Sequence, residues 1–339
     1  MIPPRVAKEI SVLFGPAARV TLVEDRGLST AIVYRVETLS NWYALKRWPI
    51  LMDRDRLNAI HRFQQYLSDG DKACTPRLLK WCHGETLLEA EGVYWEIAEW
   101  KSGHPVERLG QSSQTQLLNC VEAIARLHEQ SRSYEALVQI APGLKQRYEG
   151  LLHAIEPIEH KRNKFLDSIS SHDQYESTKT LKEIYLRAMR VIPQVIEPLH
   201  RLSETPTVCF WVLRDVWREH LLYRGDQVVG ILDFGAARID WPGLDLARSI
   251  GTLLLDSDPR WSIAHSAYLQ RRPDCQITLP DLKNVHRASV ALSALQWLDW
   301  FAEGQFDWTN QSSRYWNRVL ELQRQLADIE KPETSGILR

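Results

Sequence analysis
The sequence predicts an α+β protein of two lobes, a strand-rich amino-terminal lobe and a mainly helical carboxy-terminal one. Three observations carry this. The 339 residues exceed what one compact core ordinarily holds, so two domains or one two-lobed domain is expected. β-Branched and aromatic residues concentrate in the first hundred positions, and beyond residue 110 the apolar spacing becomes helical. With 44% apolar and 25% charged residues, the composition is that of an ordinary globular protein. Disordered, collagen-like and disulfide-scaffold classes drop out together.

Within residues 20–48 the segments VTLVED, AIVYRVET and WYALKRW read as strands, broken by a turn that contains Gly27. An amphipathic helix follows over about residues 53–67, with Leu57, Ile60, Phe63, Tyr66 and Leu67 at helical spacing. Strand-like pieces return at LLKWCH and VYWEIAEW, and KSGHP interrupts them. Residues 1–100 are therefore the expected amino-terminal lobe. In the second lobe, residues 101–330, Leu117, Leu118, Val121, Ile124, Ala125 and Leu127 trace one face of a helix ending near His128. A charged, mostly helical insertion spans residues 131–202, punctuated by Pro142, Pro157, Pro193 and Pro198 as helix starts or kinks. Next comes the island TVCFWVLRDVWREHLLYRGDQVVGILDFGAARIDW, where HLLY and VVGILD flank a polar turn. The tripeptide Arg224, Gly225, Asp226 reads as part of that turn. Helical periodicity then returns, and residues 331–339 are expected to be a flexible tail.

Forty-two basic against 43 acidic side chains give a net charge of −1. No basic stripe marks a nucleic-acid partner. The five cysteines, Cys74, Cys82, Cys120, Cys209 and Cys275, are scattered and odd in number, which fits a reducing compartment. Cys74, Cys82 and His83 fall one ligand short of a structural zinc pattern. MIPPRVAKEI lacks the apolar stretch of a signal peptide, and no apolar run approaches a membrane span. A cytoplasmic protein without a membrane partner is expected. Thirteen tryptophans against three methionines mean either an aromatic core or a stacking surface.

The island carries the chemistry. Asp215 follows an apolar run and opens a polar loop, and Asp233 ends a second apolar strand just before Phe234 and Gly235. A hairpin between them would bring both carboxylates to one pocket. Phosphoryl transfer needs such a pair, one to accept the substrate hydroxyl proton and one to hold the Mg²⁺ that neutralises phosphate charge. It also needs a lysine near the phosphates, and Lys46 in WYALKRW is the candidate.

These segments, in this order, resemble the aminoglycoside phosphotransferase and choline-kinase-like family, within the protein-kinase-like fold. EDRGLSTAIVYRV resembles the nucleotide-covering hairpin, YALKRW the phosphate lysine, IAEWKSG the hinge and AIARLH the helix before the insertion. LRDVWREHLL is similar to the catalytic loop, ILDFG to the metal strand and GLDLAR to the stabilising helix start. The resemblance implies ATP-dependent transfer of the γ-phosphate to a hydroxyl of a small metabolite or amino sugar. It implies Asp215 as catalytic base, Asp233 as ligand of Mg²⁺ or Mn²⁺, and Lys46 as the α/β-phosphate contact. Gly27 and Ser29 would cover the phosphates, Glu99 and Trp100 would meet the adenine, and Asp245 would brace the catalytic loop.

Two departures stand out. The family's catalytic loop resembles H-G-D-x-x-x-x-N, whereas Leu213 and His220 occupy the histidine and asparagine places here. His220 is then a metal ligand that shifts preference toward Mn²⁺, a phosphate donor, or the mark of a pseudokinase that binds nucleotide without turnover. The helix after Lys46, LNAIHRFQQYL, supplies no glutamate to pair with that lysine. Gln64, His61 or phosphate alone is left to hold it. On the acceptor side, Trp217 and Trp241 flank the expected chemistry. The stripe of Trp297, Trp300, Phe301, Trp308, Tyr315 and Trp316 reads as helical core, or else as an acceptor cleft in which Trp300 stacks and Asp299 holds an amine or hydroxyl. Near-neutral charge lends a polycationic acceptor no support.

Overall fold
Alternation of apolar side chains in the first hundred residues produces a five-stranded antiparallel sheet in the computed structural model, which describes residues 2–23, 31–70, 74–156, 161–169, 176–307, 309 and 313–331. Its strands are β1 (Arg19–Leu22), β2 (Ile32–Glu37), β3 (Trp42–Arg47), β4 (Leu88–Ala90) and β5 (Val93–Glu99), in the order β1-β2-β3-β5-β4. Tyr34 faces Leu45, which faces Ile97. With Val36, Trp95 and Leu88 they form one core. That core is closed by α1 (Pro4–Phe14), which the sequence reading missed. Its signals were present: proline at the first helical turn, and Val6 and Ile10 one turn apart on the buried side.

LLKWCH is not a full strand, and its end, Cys82 and His83, lies in a turn. Leu78 makes an isolated bridge to Ala98, and Leu79 N–H donates to Ile97 O. β4 occupies the Val93–Trp95 part of that edge, so only the far end of β5 is left for it. Helix α2 (Arg54–Gly70) turns Leu57, Ile60, Phe63 and Leu67 toward the second core.

The helical lobe starts with α3 (Gln114–Tyr134), whose Ser113 and Gln116 form a reciprocal capping box. The helix runs past His128 because no breaker follows, and Ser131 and Ser133 bond back to carbonyls four residues earlier. The insertion is not purely helical: β6 (Ala136–Gln139) pairs with β7 (Thr207–Val212), which pairs with β10 (Arg238–Asp240). Helices α4 (Pro142–Ile155), α5 (Lys161–Ile169) and α6 (Glu176–Glu204) follow β6. Pro193 and Pro198 lie inside α6. The apolar face carrying Leu181, Ile184, Ala188, Val191 and Val195 is wholly buried, and that packing outweighs the lost backbone bonds.

The hairpin β8 (Leu221–Arg224) and β9 (Gln227–Ile231) turns at Gly225, whose φ of 59° suits glycine. Four helices complete the lobe: α7 (Gly243–Leu253), α8 (Arg260–Arg271), α9 (Leu279–Ala302) and α10 (Arg314–Ile329). Trp261, Trp297 and Trp316 lie in this core and Trp81 and Trp95 in the first, so much of the tryptophan excess is packing. Trp308 lies outside the described residues. Among the described residues no helix is long and apolar enough to cross a membrane.

Phe63 on α2 joins the lobes, with its ring 5.0 Å from Trp211 and 6.4 Å from Phe234. Phe63→Ala should lower the unfolding free energy by about 3–5 kcal/mol, as measured by urea titration; a loss below about 1 kcal/mol would show that the site collapses without it.

Candidate active site
Lys46 points from β3 to the junction between the lobes, where its Nζ lies 3.0 Å from Asp233 Oδ1 and 3.9 Å from the Trp48 ring centre. Burial disfavours its charge, but Asp233 and Glu96 outweigh that and raise the ammonium above its ordinary value. Glu96 sits directly opposite Lys46 in the β3–β5 ladder. It accepts from Trp48 Nε1 at 2.7 Å and meets His61 Nε2 at 2.7 Å. Burial alone would raise its carboxyl, yet His61, Lys46 and Trp48 hold it below its ordinary value.

The lysine's second carboxylate therefore comes from the neighbouring strand. Gln64 donates to Pro76 O, and His61 reaches the lysine only through Glu96. The sequence reading missed Glu96 because it searched the helix after Lys46. Once the two strands are aligned antiparallel, YALKRW against VYWEIAE places the pair face to face.

The loop that carries Asp215 is organised by a buried carboxylate. Asp245, in the first turn of α7 and fully inaccessible, accepts Leu213 N–H at 2.7 Å and Arg214 N–H at 2.6 Å. Its Oδ2 also meets His128 Nε2 at 3.2 Å, and His128 Nδ1 meets the Tyr268 hydroxyl at 2.8 Å. Burial lowers the His128 pKa despite Asp245, which keeps the ring neutral. These bonds hold Arg214 at φ 67°, in the left-handed region that non-glycine residues seldom adopt. The next residue, Asp215, emerges with 42% of its side chain exposed.

His220 ties the two aspartates together. Its Nδ1 lies 2.9 Å from Asp215 O; a carbonyl only accepts, so Nδ1 carries the proton. In the neutral ring Nε2 then keeps its lone pair, 4.0 Å from Asp233 Oδ2. Asp233 is itself left-handed at φ 61°, and its Oδ1 accepts Gly235 N–H. Its carboxyl is driven far below the ordinary range, chiefly by Lys46 and against burial. Asp233 Oδ2 and His220 Nε2 face one another as an oxygen and a nitrogen donor, a pair that fits one divalent ion. Mixed donors of this kind suit Mn²⁺ better than an all-oxygen set would. Among the described residues no third His, Cys, Asp or Glu side chain joins them, so phosphate oxygens and water would complete the shell.

Lys46, Asp233, His220 and Asp215 are thus brought together, with Asp245 behind them. Glu99 ends β5, ion-paired with Arg77 and Lys101 at 3.4 Å each, and Trp100 packs edge-on against Trp42. Gly27 and Ser29 lie outside the described residues, in the connection between the paired strands β1 and β2.

Three residues expected on the acceptor side are otherwise engaged. Trp241 is 2% exposed, its ring against the backbone of Gly243, so it belongs to the core. Asp299 is held two-pronged by Arg162 at 2.9 Å and 2.9 Å, which removes it as a free partner for an amine. Trp300 packs against Trp297 and Phe306. Trp217 does lie beside Asp215, with the guanidinium groups of Arg248 and Arg318 each 4.2 Å from its ring centre.

The family model described as "APH: Phosphotransferase enzyme family" matches residues 25–278. Among solved structures, the chain is similar to an amicoumacin kinase in complex with AMP-PNP, Ca²⁺ and Ami, at 14% identity over 96% of this chain and 93% of the other, with a TM-score of 0.57. It is similar to a spectinomycin phosphotransferase in complex with ADP and spectinomycin, at 10% identity over 98% and 96%, with a TM-score of 0.55. A third likeness is to an aminoglycoside phosphotransferase from Alicyclobacillus acidocaldarius, at 17% identity over 96% and 95%, with a TM-score of 0.52. At these identities the likeness is one of fold, the bilobal protein-kinase-like fold. Comparison with curated proteins returns no significant match.

The Lys46–Asp233 pair sets a pH window. Asp233 has a depressed carboxyl, so its contribution to stability is present above the unfolded carboxylate pKa and is lost as pH falls through the lower folded value. Lys46 has a raised ammonium, so its contribution is full below the unfolded lysine pKa and lost as pH rises through the higher folded value. The pair should remain intact from about pH 5 to pH 9. In Lys46→Met the Asp233 carboxyl, followed by ¹³C NMR, should titrate at a higher pH than in the parent protein. An unmoved titration would show that Lys46 is not the cause.

Proposed function
Since the chain belongs to the phosphotransferase enzyme family, we propose that it is an ATP-dependent small-molecule kinase, transferring the γ-phosphate to a hydroxyl of its acceptor. The observation that carries this reading is the His220 bridge, with one ring nitrogen on the Asp215 carbonyl and the other facing the Asp233 carboxylate. It ties the backbone of the residue with the solvent-reachable carboxylate, Asp215, to the metal-competent Asp233, and Lys46 stands on the other oxygen of Asp233.

The step follows from these positions. The acceptor hydroxyl meets Asp215, which takes its proton as the new O–P bond forms. The bond between the γ-phosphorus and the β,γ-bridging oxygen breaks, and ADP leaves with that electron pair. Lys46 steadies the α- and β-phosphates, and Glu99 and Trp100 border the adenine. Mg²⁺ or Mn²⁺, held by Asp233 and His220, would draw charge from the β- and γ-phosphates. Asp245 keeps the loop at the conformation that aims Asp215 outward. The reading places the reaction in the cytoplasm, where ATP is abundant.

Release of ADP over a panel of hydroxylated small molecules tests turnover and separates the kinase from a nucleotide-binding pseudokinase. Asp215→Asn should lower kcat by about 10²- to 10⁴-fold and leave ATP affinity within about twofold; undiminished turnover would remove Asp215 as the base. His220→Asn should raise turnover with Mg²⁺ relative to Mn²⁺. An unaltered ratio would take His220 out of the metal shell.

A further inference from the structure
The guanidinium groups around Asp215 carry more charge than the protein neutralises. Arg318 from α10 is answered by Glu321 at 3.1 Å and Glu219 at 3.0 Å, and Arg214 by Asp240 at 3.2 Å. Arg248 from α7 is not answered in this way. Among the described residues the carboxylate nearest to it is that of Asp215, 3.9 Å from its Nη2, beyond hydrogen-bond range, and its buried Nε has no hydrogen-bond partner. Among the described residues Arg147 from α4 donates only to the neutral acceptors Gly143 O at 2.9 Å and Ser289 Oγ at 3.1 Å.

These two cations share one environment. Burial lowers Arg147 to about 10, repulsion from Arg248 and Arg214 adds to the fall, and Asp240 and Asp215 offset part of it. Burial likewise lowers Arg248, Asp215 opposes, and Arg318 adds repulsion. In a chain of net charge −1, such a concentration of repelling charge at a catalytic loop is a local arrangement. The Trp217 ring, which a cationic acceptor would need for stacking, already bears the Arg248 and Arg318 guanidinium groups. A third cation there would meet like charge.

We propose that the acceptor is an oxyanion-bearing alcohol, a small hydroxy compound that also carries a carboxylate or a phosphate, and that Arg248 and Arg147 hold its anionic group while its hydroxyl meets Asp215. The proposal rests on the phosphotransferase reading. Guanidinium is suited to this role because its planar donors match the two oxygens of a carboxylate or phosphate. Fixing the anion at Arg248, next to Asp215, orients the hydroxyl without the protein supplying an acidic cleft.

The test uses the 339-residue protein with acceptors paired by skeleton: gluconate against glucamine (1-amino-1-deoxy-D-glucitol), and glycerol 3-phosphate against 3-amino-1,2-propanediol. ADP release should give the anionic member of at least one pair a kcat/KM about tenfold or more above its amine twin. The same anion should raise the melting temperature of ADP-loaded protein at about 10 mM. Arg248→Gln should raise the KM for that acceptor about tenfold with the KM for ATP within about twofold, and Arg248→Lys should recover part of the loss. Preference for the amines, or no thermal shift from either anion, overturns the proposal. So does a rise in the KM for ATP instead, which would put Arg248 on the nucleotide, or an equal fall in kcat for all acceptors, which would make it only a support for Asp215. Failure of ATP to shift the melting temperature with either metal removes the kinase reading itself, whereas ATP binding with amine preference removes this inference alone.

Discussion

A half-buried ammonium group at the junction of two lobes is the constraint around which the site is organised. Lys46 belongs to the sheet and Asp233 to the loop after β9, and the ion pair between them fixes the relation of strand to loop. Such a charge is tolerable only when its neighbours compensate for lost hydration. Asp233, the face of Trp48 and the Glu96 carboxylate do so from three directions of the chain. Glu96 needs compensation in turn, and His61 and Trp48 supply it. The polar junction is therefore a connected network whose members are mutually necessary.

Asp245 imposes a second constraint, on backbone rather than charge. Two amide N–H groups directed at one buried carboxylate leave the chain little choice of path before Asp215. The strain at Arg214 is sustained because α3 and α8, through His128 and Tyr268, hold the carboxylate from behind. The helical core thus sets the position of the exposed Asp215 through the backbone that precedes it. Leu213, with its side chain buried, contributes its N–H to this link.

Much of this was legible in the sequence because its signals are local. Alternation within WYALKRW and VYWEIAEW, the helical spacing after residue 110 and the ordered motifs around Asp215 and Asp233 each lie inside one short segment. What escaped reading depends on partners distant in the chain. Glu96 is fifty positions from Lys46 and meets it only through strand register. Asp299 looked available until α5 brought Arg162 to it. Trp217 was expected to flank the chemistry, but the guanidinium groups of Arg248 and Arg318 that cover its ring come from two later helices and could not be read beside it. β6 was hidden because a four-residue strand within a charged helical stretch becomes a strand only when β7 lies beside it.

The origin of Glu96 has a consequence for control. Protein kinases that draw the lysine's carboxylate from a movable helix can be turned off by swinging that helix away. Here the two groups sit on adjacent strands of one sheet, joined by the β3–β5 ladder. No displacement of α2 separates them without tearing the sheet. The placement of that carboxylate relative to the lysine is therefore set by strand register and not by the position of a helix.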